Sequence, residues 1–462
     1  MKRFYFGASP RAVAAFVCYV VNGTEQRAKD LLEHELERSN FDRRDRDLVT
    51  ELVYGVLRRR GTLDELIAEF SRRPVRKIQP RVLELLRLAA YQIVFLDKVP
   101  APAAVNEAVE LAKRVSSRGA VGFVNGCLRA LSAAVVAKGE DPGTDPRRAV
   151  PIGEGAWCVF DRPVLPDPAK SRAAYLAAAW SHPPWLVRRW LARFGEAATR
   201  RLCEADNAHT GIVLRANRLR TTRDELVAEL VRGGRWARPI GPDHVLVDHA
   251  GPLRELAALR DGLCTVQGVA ASAAAALLAP RPGELVLDVC SAPGSKACQL
   301  AELAGGEATI VALDLSVKRL RQVVENVRRL GVRTVWPLAA DGTECERVFR
   351  ADFDAALVDV PCSNTGVLAR RVESRWRVSE ARLAELAALQ RRLLASAAGV
   401  VRPGGRLVYS TCSLEPEENE QAVESLCRER PDWALVESKC ILPSETSDDG
   451  GYVALLRRQG QR

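Results

Sequence analysis

The chain has 462 residues, of which 47% are apolar and 27% are charged, and no long apolar stretch lacks charges. This length favours two or three globular domains, and the composition excludes a protein built from membrane spans. The net charge of +10 is unevenly placed: residues 1–140 and 170–260 each carry net +7, whereas residues 141–169 and 261–462 each carry net −2. Either a surface for a polyanion or a solvated charged face would give this asymmetry.

Residues 1–140 are predicted to form a helical domain. Apolar residues recur at every third and fourth position, as in 81–96 and 103–115, and strand-like alternation is almost absent. The N-terminus superficially fits a secretory signal, but Ser9 as a cap, Pro10 in the first turn and Gly23 at the end predict an ordinary first helix.

Basic clusters stand near the expected ends of these helices or in loops, where arginines can reach phosphates. Their members are Arg43, Arg44, Arg46, Arg58, Arg59, Arg60, Arg72, Arg73, Arg76 and Lys77.

The cysteines and histidines indicate neither disulfides nor metal. The 12 cysteines are scattered without a C-x-x-C pair, and the five histidines never reach metal-ligand spacing beside them. A chain of this length needs no disulfide framework, and a structural zinc site would require closer ligands. We therefore expect a cytoplasmic protein with no bound metal.

Two further regions follow in the chain before the C-terminal part. Residues 141–169 are rich in Pro, Gly and Asp, which predicts a linker. Residues 170–261 are predicted to form a small basic α+β module, with helices over 183–205 and 222–231 and a strand over 212–217. The pattern alone does not reveal the role of this module.

Residues 262–462 show strands and helices in alternation, which predicts a mostly parallel sheet covered by helices on both faces. The predicted strands are 284–289, 309–314, 334–339, 354–360 and 406–410, and the predicted helices are 295–303, 318–330 and 379–398.

A candidate ligand loop follows the first of these strands. Ligands of open α/β sheets bind at the carboxyl ends of the strands. The loop contains one glycine, so it fits neither G-x-G-x-x-G nor the P-loop. Gly294 would let a ligand approach the backbone, and the helix N-terminus beyond it can face a carboxylate such as that of a methionyl group. The loop residues are Cys290, Ser291, Ala292, Pro293, Gly294, Ser295 and Lys296.

Two aspartates end the next two strands. Asp314 can accept hydrogen bonds from ribose hydroxyls, and Asp341 can receive an adenine amino group. Either aspartate alone could equally be a cap or a turn residue, but three successive strand ends with such features favour a nucleoside pocket.

Cys362 and Cys412 each stand just beyond the end of a later strand. Most cysteines are buried apolar residues, but this edge is where such sheets carry their chemistry. A thiolate that adds to carbon 6 of cytosine makes carbon 5 nucleophilic, and positive charge near the thiol favours its ionisation. Lys296 could supply that charge or position the substrate, and Asp359 can bind the cytosine edge. On chemistry alone, the roles of Cys362 and Cys412 are exchangeable.

These motifs resemble the RsmB/Sun (Fmu) family of ribosomal RNA small-subunit (cytosine-5)-methyltransferases nearly end to end. The resemblance is carried by Pro361-Cys362-Ser363 with Thr411-Cys412-Ser413, and in the first domain by residues 51–59 and 105–113. It implies a NusB-like RNA-binding domain over 1–140, a Rossmann-like methyltransferase domain over 262–462, and S-adenosylmethionine bound by residues 290–296 with Asp314, Asp341 and Asp359.

The resemblance also implies a role for each cysteine. Cys412 attacks carbon 6, and Cys362 assists the release of the methylated RNA. DNA (cytosine-5)-methyltransferases instead use the cysteine of the Pro-Cys motif as the nucleophile, so this assignment depends on the family.

The sequence departs from the family at two places. Ser295 replaces the second glycine of the usual Ala-Ala-Pro-Gly-Gly-Lys, which is tolerated unless that position needs a positive φ. Residues 370–374 replace the frequent Arg-Arg-x-Pro-Asp, which puts details of the substrate loop in doubt.

Other substrates and functions remain open at this point. The same chemistry could act on transfer RNA, although the NusB-like domain favours ribosomal RNA by analogy. A catalytically inert RNA-binding or assembly factor is a third possibility, and the intact cysteines and aspartates count against it. The sequence does not indicate an oligomeric state.

Overall fold

A computed structural model describes residues 6–208, 211–248, 253–350, 352–443 and 449–460. It comprises two compact units, one of residues 1–208 with Arg371–Arg377 and the other of residues 209–370 with 378–462. Within the described ranges, no helix is long and apolar enough to cross a membrane.

The first unit is mainly helical, as predicted. The Ser9 hydroxyl accepts a hydrogen bond from the Ala12 amide and begins the first helix, which Pro10 opens. The helices of this unit are α1 (Pro10–Gly23), α2 (Ala28–Glu37), α3 (Arg43–Ser71), α4 (Pro80–Phe95), α5 (Ala101–Val115), α6 (Arg118–Ala134), α7 (Arg172–Trp180), α8 (Pro184–Ala205) and α15 (Ser374–Arg377).

The predicted linker contains regular structure. A three-stranded antiparallel sheet of order β1-β3-β2 is formed by β1 (Val135–Gly139), β2 (Ala149–Gly153) and β3 (Ala156–Phe160). Strands of five residues interrupted by proline and glycine leave too short a pattern to separate from a loop. The helices α7 and α8 are part of the first compact unit, which extends to residue 208.

Two of the three arginines in the predicted basic cluster at 58–60 are buried, which corrects the expectation for them. Arg58 and Arg59 are only 8% and 7% exposed, and the Arg59 guanidinium lies 5.0 Å from the centre of the Phe95 ring. These arginines lie in the middle of the long helix α3 and not near its end, so they pack inside the helical unit and do not face solvent. Arg43, Arg44, Arg72, Arg73, Arg76 and Lys77 are exposed.

Residues 371–377 are held in the first unit by a buried arginine. Arg375 is fully buried and donates from Nη1 to the carbonyl oxygens of Arg58 (3.0 Å) and Ser181 (2.8 Å) and to Asn207 Oδ1 (3.1 Å). Its Nη2 donates to the Asp206 carbonyl oxygen at 2.9 Å. Burial lowers the pKa of Arg375 to about 10, so the guanidinium stays charged at neutral pH.

Arg375→Ala is expected to lower the free energy of unfolding of the helical unit by about 3 kcal/mol, because it strips a donor from four buried acceptors. Denaturant unfolding followed by tryptophan fluorescence measures the change. Arg371→Ala is the control, since Arg371 is exposed on the same segment. An Arg375 variant as stable as the Arg371 variant would contradict this account.

The second unit begins with a small antiparallel module. Its four-stranded sheet has the order β5-β6-β4-β7, and its helix α9 begins with a capping box in which the side chains of Thr222 and Glu225 cap each other's backbone amides. The elements are β4 (Ile212–Ala216), α9 (Arg223–Arg232), β5 (Trp236–Pro239), β6 (His244–Asp248), α10 (Ala257–Arg260) and β7 (Cys264–Val266).

A seven-stranded sheet of order β10-β9-β8-β11-β12-β14-β13 forms the centre of the second unit. Five neighbouring strands, from β10 to β12, are parallel, while β14 is antiparallel to β12 and β13. Its elements are α11 (Val269–Leu278), β8 (Leu285–Val289), α12 (Ser295–Leu303), β9 (Thr309–Asp314), α13 (Val317–Leu330), β10 (Val335–Ala339), α14 (Cys345–Val348), β11 (Phe353–Asp359), α16 (Glu380–Gly399), β12 (Val401–Thr411), α17 (Glu420–Glu429), β13 (Trp433–Ile441) and β14 (Gly451–Arg458).

Apolar clusters cover both faces of this sheet, which is why its strands are almost continuously apolar. On one face, Leu287, Val358 and Leu407 pack with helices α16 and α17. On the other face, Val286, Leu357 and Val408 pack in a cluster with residues of α11 and α12. Parallel strands covered in this way place their carboxyl ends at one edge of the sheet.

Candidate active site

The predicted site residues of the second unit lie at one edge of the sheet. The strands β8, β9, β10, β11 and β12 are parallel, so the residues that follow them share that edge. The chain order of the strands reverses between β8 and β11, and a crevice for a ligand is expected at such a reversal.

The loop after β8 has unusual backbone geometry. Cys290 adopts a φ of 63°, a left-handed conformation that is uncommon outside glycine, and the Ala292–Pro293 peptide bond is cis. Gly294 has a φ of 94°, and a Cβ there would lie 2.9 Å from Val323 Cγ1. Close packing on α13 and the left-handed backbone therefore require glycine at this position. These two reasons add to the one proposed from sequence, that glycine lets a ligand approach the backbone. Ser295 begins α12 with helical geometry, so its exchange for glycine imposes no strain.

Side chains of α13 hold this loop from outside. Arg319 Nη2 donates to the Ala292 carbonyl oxygen at 2.7 Å, and Asn326 Nδ2 donates to the Pro293 carbonyl oxygen at 3.0 Å. Sequence analysis missed both residues, because helix periodicity does not show which polar side chain meets a loop 27 or 33 positions earlier.

The two strand-end aspartates differ in their surroundings. Asp314 is 2% exposed, and its carboxylate accepts hydrogen bonds from the amides of Ala292 (3.2 Å) and Ser316 (3.0 Å). Asp341 is exposed and accepts both the amide and the hydroxyl of Thr343 at 2.8 Å. The hydrogen bonds from Thr343 lower the pKa of Asp341. Asp314 thus links two strand ends, whereas Asp341 also acts as a cap.

Two exposed apolar side chains follow Asp314 in the chain. Leu315 and Val317 are 73% and 63% exposed, although large apolar side chains usually avoid water. A purine ring placed beside the Asp314 loop would cover such side chains, while the first amides of α12 can face a carboxylate. The residues at this edge therefore fit an adenosyl group joined to an amino acid.

Asp288 in β8 is a buried carboxyl group that sequence analysis missed. It is fully buried, and its Oδ2 accepts the Ser291 hydroxyl at 2.6 Å. Burial raises the pKa of Asp288 to about 7 despite the Ser291 hydrogen bond, and the negative charge of Asp359 adds to the rise. An aspartate in an apolar strand can also be read from sequence as a turn residue, so the sequence pattern does not show that Asp288 is buried.

This raised pKa predicts a pH-dependent stability. A protonated Asp288 stabilises the fold at low pH, and that contribution is lost as the pH rises from about 4 to about 7. We expect the melting temperature of the wild type to fall more between pH 5 and pH 8 than that of Asp288→Asn, whose amide does not ionise. Each kcal/mol corresponds to about 2–4 °C. Equal pH slopes for the two proteins would refute this role of Asp288.

Lys296 and Asp359 form an ion pair within the site. Lys296 Nζ lies 2.8 Å from Asp359 Oδ2, and Asp359 Oδ1 accepts the Ser410 hydroxyl at 2.6 Å. Burial alone would lower the pKa of Lys296, but the charge and hydrogen bond of Asp359 outweigh burial and raise it. The negative charge of a Cys412 thiolate contributes to the same rise, so Lys296 carries positive charge close to that cysteine.

The two predicted cysteines are in contact. Their Sγ atoms are 2.7 Å apart, and either can donate to the other. The Cys412 amide donates to Cys362 Sγ at 3.3 Å, and Cys412 Sγ donates to Asn364 Oδ1 at 3.3 Å. The hydrogen bond to Cys412 and burial raise the pKa of Cys362 well above its usual range, and negative charge on Cys412 and Glu418 adds to the rise.

Comparison with known proteins agrees with this geometry. The profile described as 16S rRNA methyltransferase RsmB/F matches residues 275–457, which contain the seven-stranded sheet except for Arg458, the last residue of β14. A probable ribosomal RNA small subunit methyltransferase B from Synechocystis sp. is 34% identical, over 97% of this chain and 99% of its own length. A protein of the same name from Bacillus subtilis is 30% identical, over 93% of this chain and 94% of its own length.

The chain belongs to the RsmB/F methyltransferase family.

The other parts of the chain agree with this membership. The NusB family profile matches residues 8–133, and the profile of the ferredoxin-like domain of RsmF/B-like methyltransferases matches residues 182–254. A crystal structure of a methyltransferase homolog protein from Pyrococcus horikoshii is 25% identical, with a TM-score of 0.56 over 62% of this chain and 99% of that chain. The NusB-like prediction is confirmed, and the basic α+β module is a ferredoxin-like domain.

As a member of the RsmB/F family, the protein is a methyltransferase that uses S-adenosylmethionine. The fit of the Asp314 edge to an adenosyl group agrees with this cofactor. In the described part of the chain, no group of three or more His, Cys, Asp and Glu residues could hold a metal ion.

Proposed function

We propose that this enzyme transfers a methyl group to carbon 5 of one cytosine in 16S ribosomal RNA through a covalent bond between Cys412 and carbon 6. The observation that carries the proposal is the 2.7 Å contact between the Cys412 and Cys362 sulfurs at the ligand-binding edge of a methyltransferase sheet. Two thiols in contact can act on carbons 5 and 6 of the same cytosine. One thiol acts as the nucleophile, and the other assists proton transfer.

The surroundings of the two sulfurs favour Cys412 as the nucleophile. Lys296 carries positive charge near Cys412, the kind of neighbour that cysteine nucleophiles require. The hydrogen bond to Cys412, burial and, to a smaller extent, the negative charge of Glu418 raise the pKa of Cys362 and keep that thiol protonated. A protonated Cys362 can donate a hydrogen bond to the Cys412 sulfur.

The reaction follows from these positions. The Cys412 thiolate adds to carbon 6 of the cytosine, and the electron pair displaced toward carbon 5 makes that carbon nucleophilic. Asp359, held by Lys296 and Ser410, hydrogen-bonds the polar edge of the ring. After methylation, a base such as water takes the proton from carbon 5, the electrons of that carbon–hydrogen bond restore the double bond between carbons 5 and 6, and the bond from carbon 6 to the Cys412 sulfur breaks. Cys362 assists this release.

S-adenosylmethionine supplies an electrophilic methyl group on a sulfonium when it is bound. The loop Cys290–Lys296 and the α12 N-terminus would hold its amino acid part. Asp314 would hold the ribose, and Asp341 would receive the adenine amino group.

Ribosomal RNA as the substrate is supported by the family and by surface charge. The relatives are named as ribosomal RNA small subunit methyltransferases, and the NusB-like domain carries exposed arginines. We expect Arg43→Gln with Arg44→Gln to weaken RNA binding and to reduce the salt dependence of the binding constant by about one unit of slope per lost phosphate contact. Filter binding at several salt concentrations measures both. An unchanged slope would exclude these arginines from the RNA contact.

The proposal is tested by incubating the enzyme with labelled S-adenosylmethionine and either unmodified 16S ribosomal RNA or transfer RNA. Bisulfite sequencing then locates methylated cytosines. One labelled cytosine in 16S ribosomal RNA is the expected result. Label on transfer RNA alone would show that the substrate is transfer RNA and not ribosomal RNA. No label on either RNA would refute the proposed enzyme activity.

A further inference from the structure

A buried carboxylate lies behind the two cysteine loops. Glu418 is 0% exposed and lies two residues before the start of α17. Burying a carboxylate without partners is very costly, so a protein that keeps one must surround it with donors. Four groups donate hydrogen bonds to Glu418. Each of them belongs to, or also binds, the loop that contains Cys362 (the Pro-Cys loop) or the loop that contains Cys412 (the Thr-Cys loop).

The Pro-Cys loop supplies two of these donors. Ser363, the residue after Cys362, gives its amide to Glu418 Oε1 at 2.9 Å and its hydroxyl to Glu418 Oε2. Gln390 of α16 donates Nε2 to Glu418 Oε1 at 2.9 Å and also to the carbonyl oxygen of Pro361, the residue before Cys362, at 2.9 Å. Glu418 and Gln390 therefore hold Cys362 from both sides.

The Thr-Cys loop supplies the fourth donor. Ser413, the residue after Cys412, donates its hydroxyl to Glu418 Oε2. Ser413 Oγ also lies 3.0 Å from Ser363 Oγ and accepts the Glu415 amide at 3.0 Å. One carboxylate thus receives a hydrogen bond from the residue that follows each cysteine.

We propose that Glu418 is a positioning residue that sets the approach of the Cys362 and Cys412 sulfurs. An ionised carboxylate only accepts hydrogen bonds and has about four acceptor positions, which four donors fill here. The side chain does not touch the reacting cytosine carbons in this account; it acts through Ser363 and Ser413. The consequence for turnover rests on the function proposed above, whereas the sulfur geometry does not.

The proximity of the Cys362 and Cys412 sulfurs can be measured without methyl transfer. Diamide takes two electrons and two protons from a pair of neighbouring thiols and leaves a disulfide, and peptide mass spectrometry identifies the Cys362–Cys412 link. Glu418→Gln keeps the size of the side chain but replaces one acceptor oxygen with an NH2 group. That group faces hydrogen-bond donors of the two loops, so we expect the loops to move apart. We expect this variant to form the disulfide at least about 10-fold more slowly than the wild type, because the reaction requires close, aligned sulfurs.

Glu424→Gln is the matched control, since Glu424 is exposed on the following helix α17 and its substitution removes the same charge close by in the chain. Ser413→Ala removes the hydrogen bond from the Ser413 hydroxyl to Glu418 without a change of charge. It is the second test variant, used if Glu418→Gln does not fold. Either test variant is expected to slow the disulfide, and disulfide formation at the wild-type rate in a folded test variant would overturn the proposal.

A kinetic measurement separates positioning from general support of the fold. With Cys362 displaced, release of the RNA slows, so kcat falls at least about 10-fold, the KM for S-adenosylmethionine is unchanged and the covalent RNA adduct accumulates. Loss of adduct and of turnover together would indicate a merely structural role and overturn the proposal. If crosslinking slows in Glu418→Gln while the wild type forms no RNA adduct, the positioning role stands and the covalent mechanism fails.

Discussion

Cys412→Ala is expected to abolish both methyl transfer and covalent attachment of RNA, with transfer reduced by about 10³-fold or more. Without the thiolate, carbon 5 of cytosine is too weak a nucleophile to react, and removing a covalent nucleophile removes the whole pathway that depends on it. Methyl transfer is measured with labelled S-adenosylmethionine, and covalent attachment is measured as an RNA-shifted band on a denaturing gel.

The control for this variant is Cys427→Ala. Cys427 is a half-buried cysteine on α17 of the same unit, away from the strand ends that carry the site. We expect Cys427→Ala to retain wild-type transfer. Residual adduct formation in Cys412→Ala would contradict the assignment of the nucleophile.

Cys362→Ala is expected to accumulate the covalent RNA adduct while its turnover falls by about 10²-fold. Cys412 can still attack, because Lys296 remains beside it, but no thiol is left in contact with Cys412 to assist the release. The adduct is expected to survive denaturation and to disappear on nuclease digestion. Cys362→Ala that releases methylated RNA at the wild-type rate would show that Cys362 has no role in release.

The double variant distinguishes the two cysteines further. Cys362→Ala with Cys412→Ala is expected to form no adduct, since the nucleophile is lost. If Cys362→Ala alone formed none while Cys412→Ala formed it, the roles of the two cysteines would be reversed.

The alternation of strands and helices was predictable because the sheet is covered on both faces. Its inner strands are continuous apolar runs, and α12 and β9 begin and end at the predicted residues. The antiparallel strands β13 and β14 were missed. The apolar residues of β13 stand in two runs around a polar centre, and most of the strand is exposed. Alternation therefore does not indicate a strand here, and pairing with β14 at the sheet edge decides its conformation.

The site was predictable only where chemistry falls at a strand end. The placement of Cys362, Cys412, Asp314 and Asp359 at one edge of the sheet was predictable, because the carboxyl ends of parallel strands meet there. Glu418 was not, since a glutamate within Glu415–Glu420 looks like a solvated acidic segment. Its burial depends on donors from residues 363, 390 and 413 that only the folded chain brings together.

The most direct test of the central claim identifies the cysteine that bonds to RNA. Carbon 5 of 5-fluorocytidine bears no proton to lose, so methylation leaves the enzyme attached to carbon 6. The enzyme is incubated with S-adenosylmethionine and 16S ribosomal RNA containing this base, digested, and mapped by peptide mass spectrometry. The methylated fluorinated nucleotide is expected on the peptide that contains Cys412. The same nucleotide on the Cys362 peptide, with Cys412 unmodified, would contradict the account.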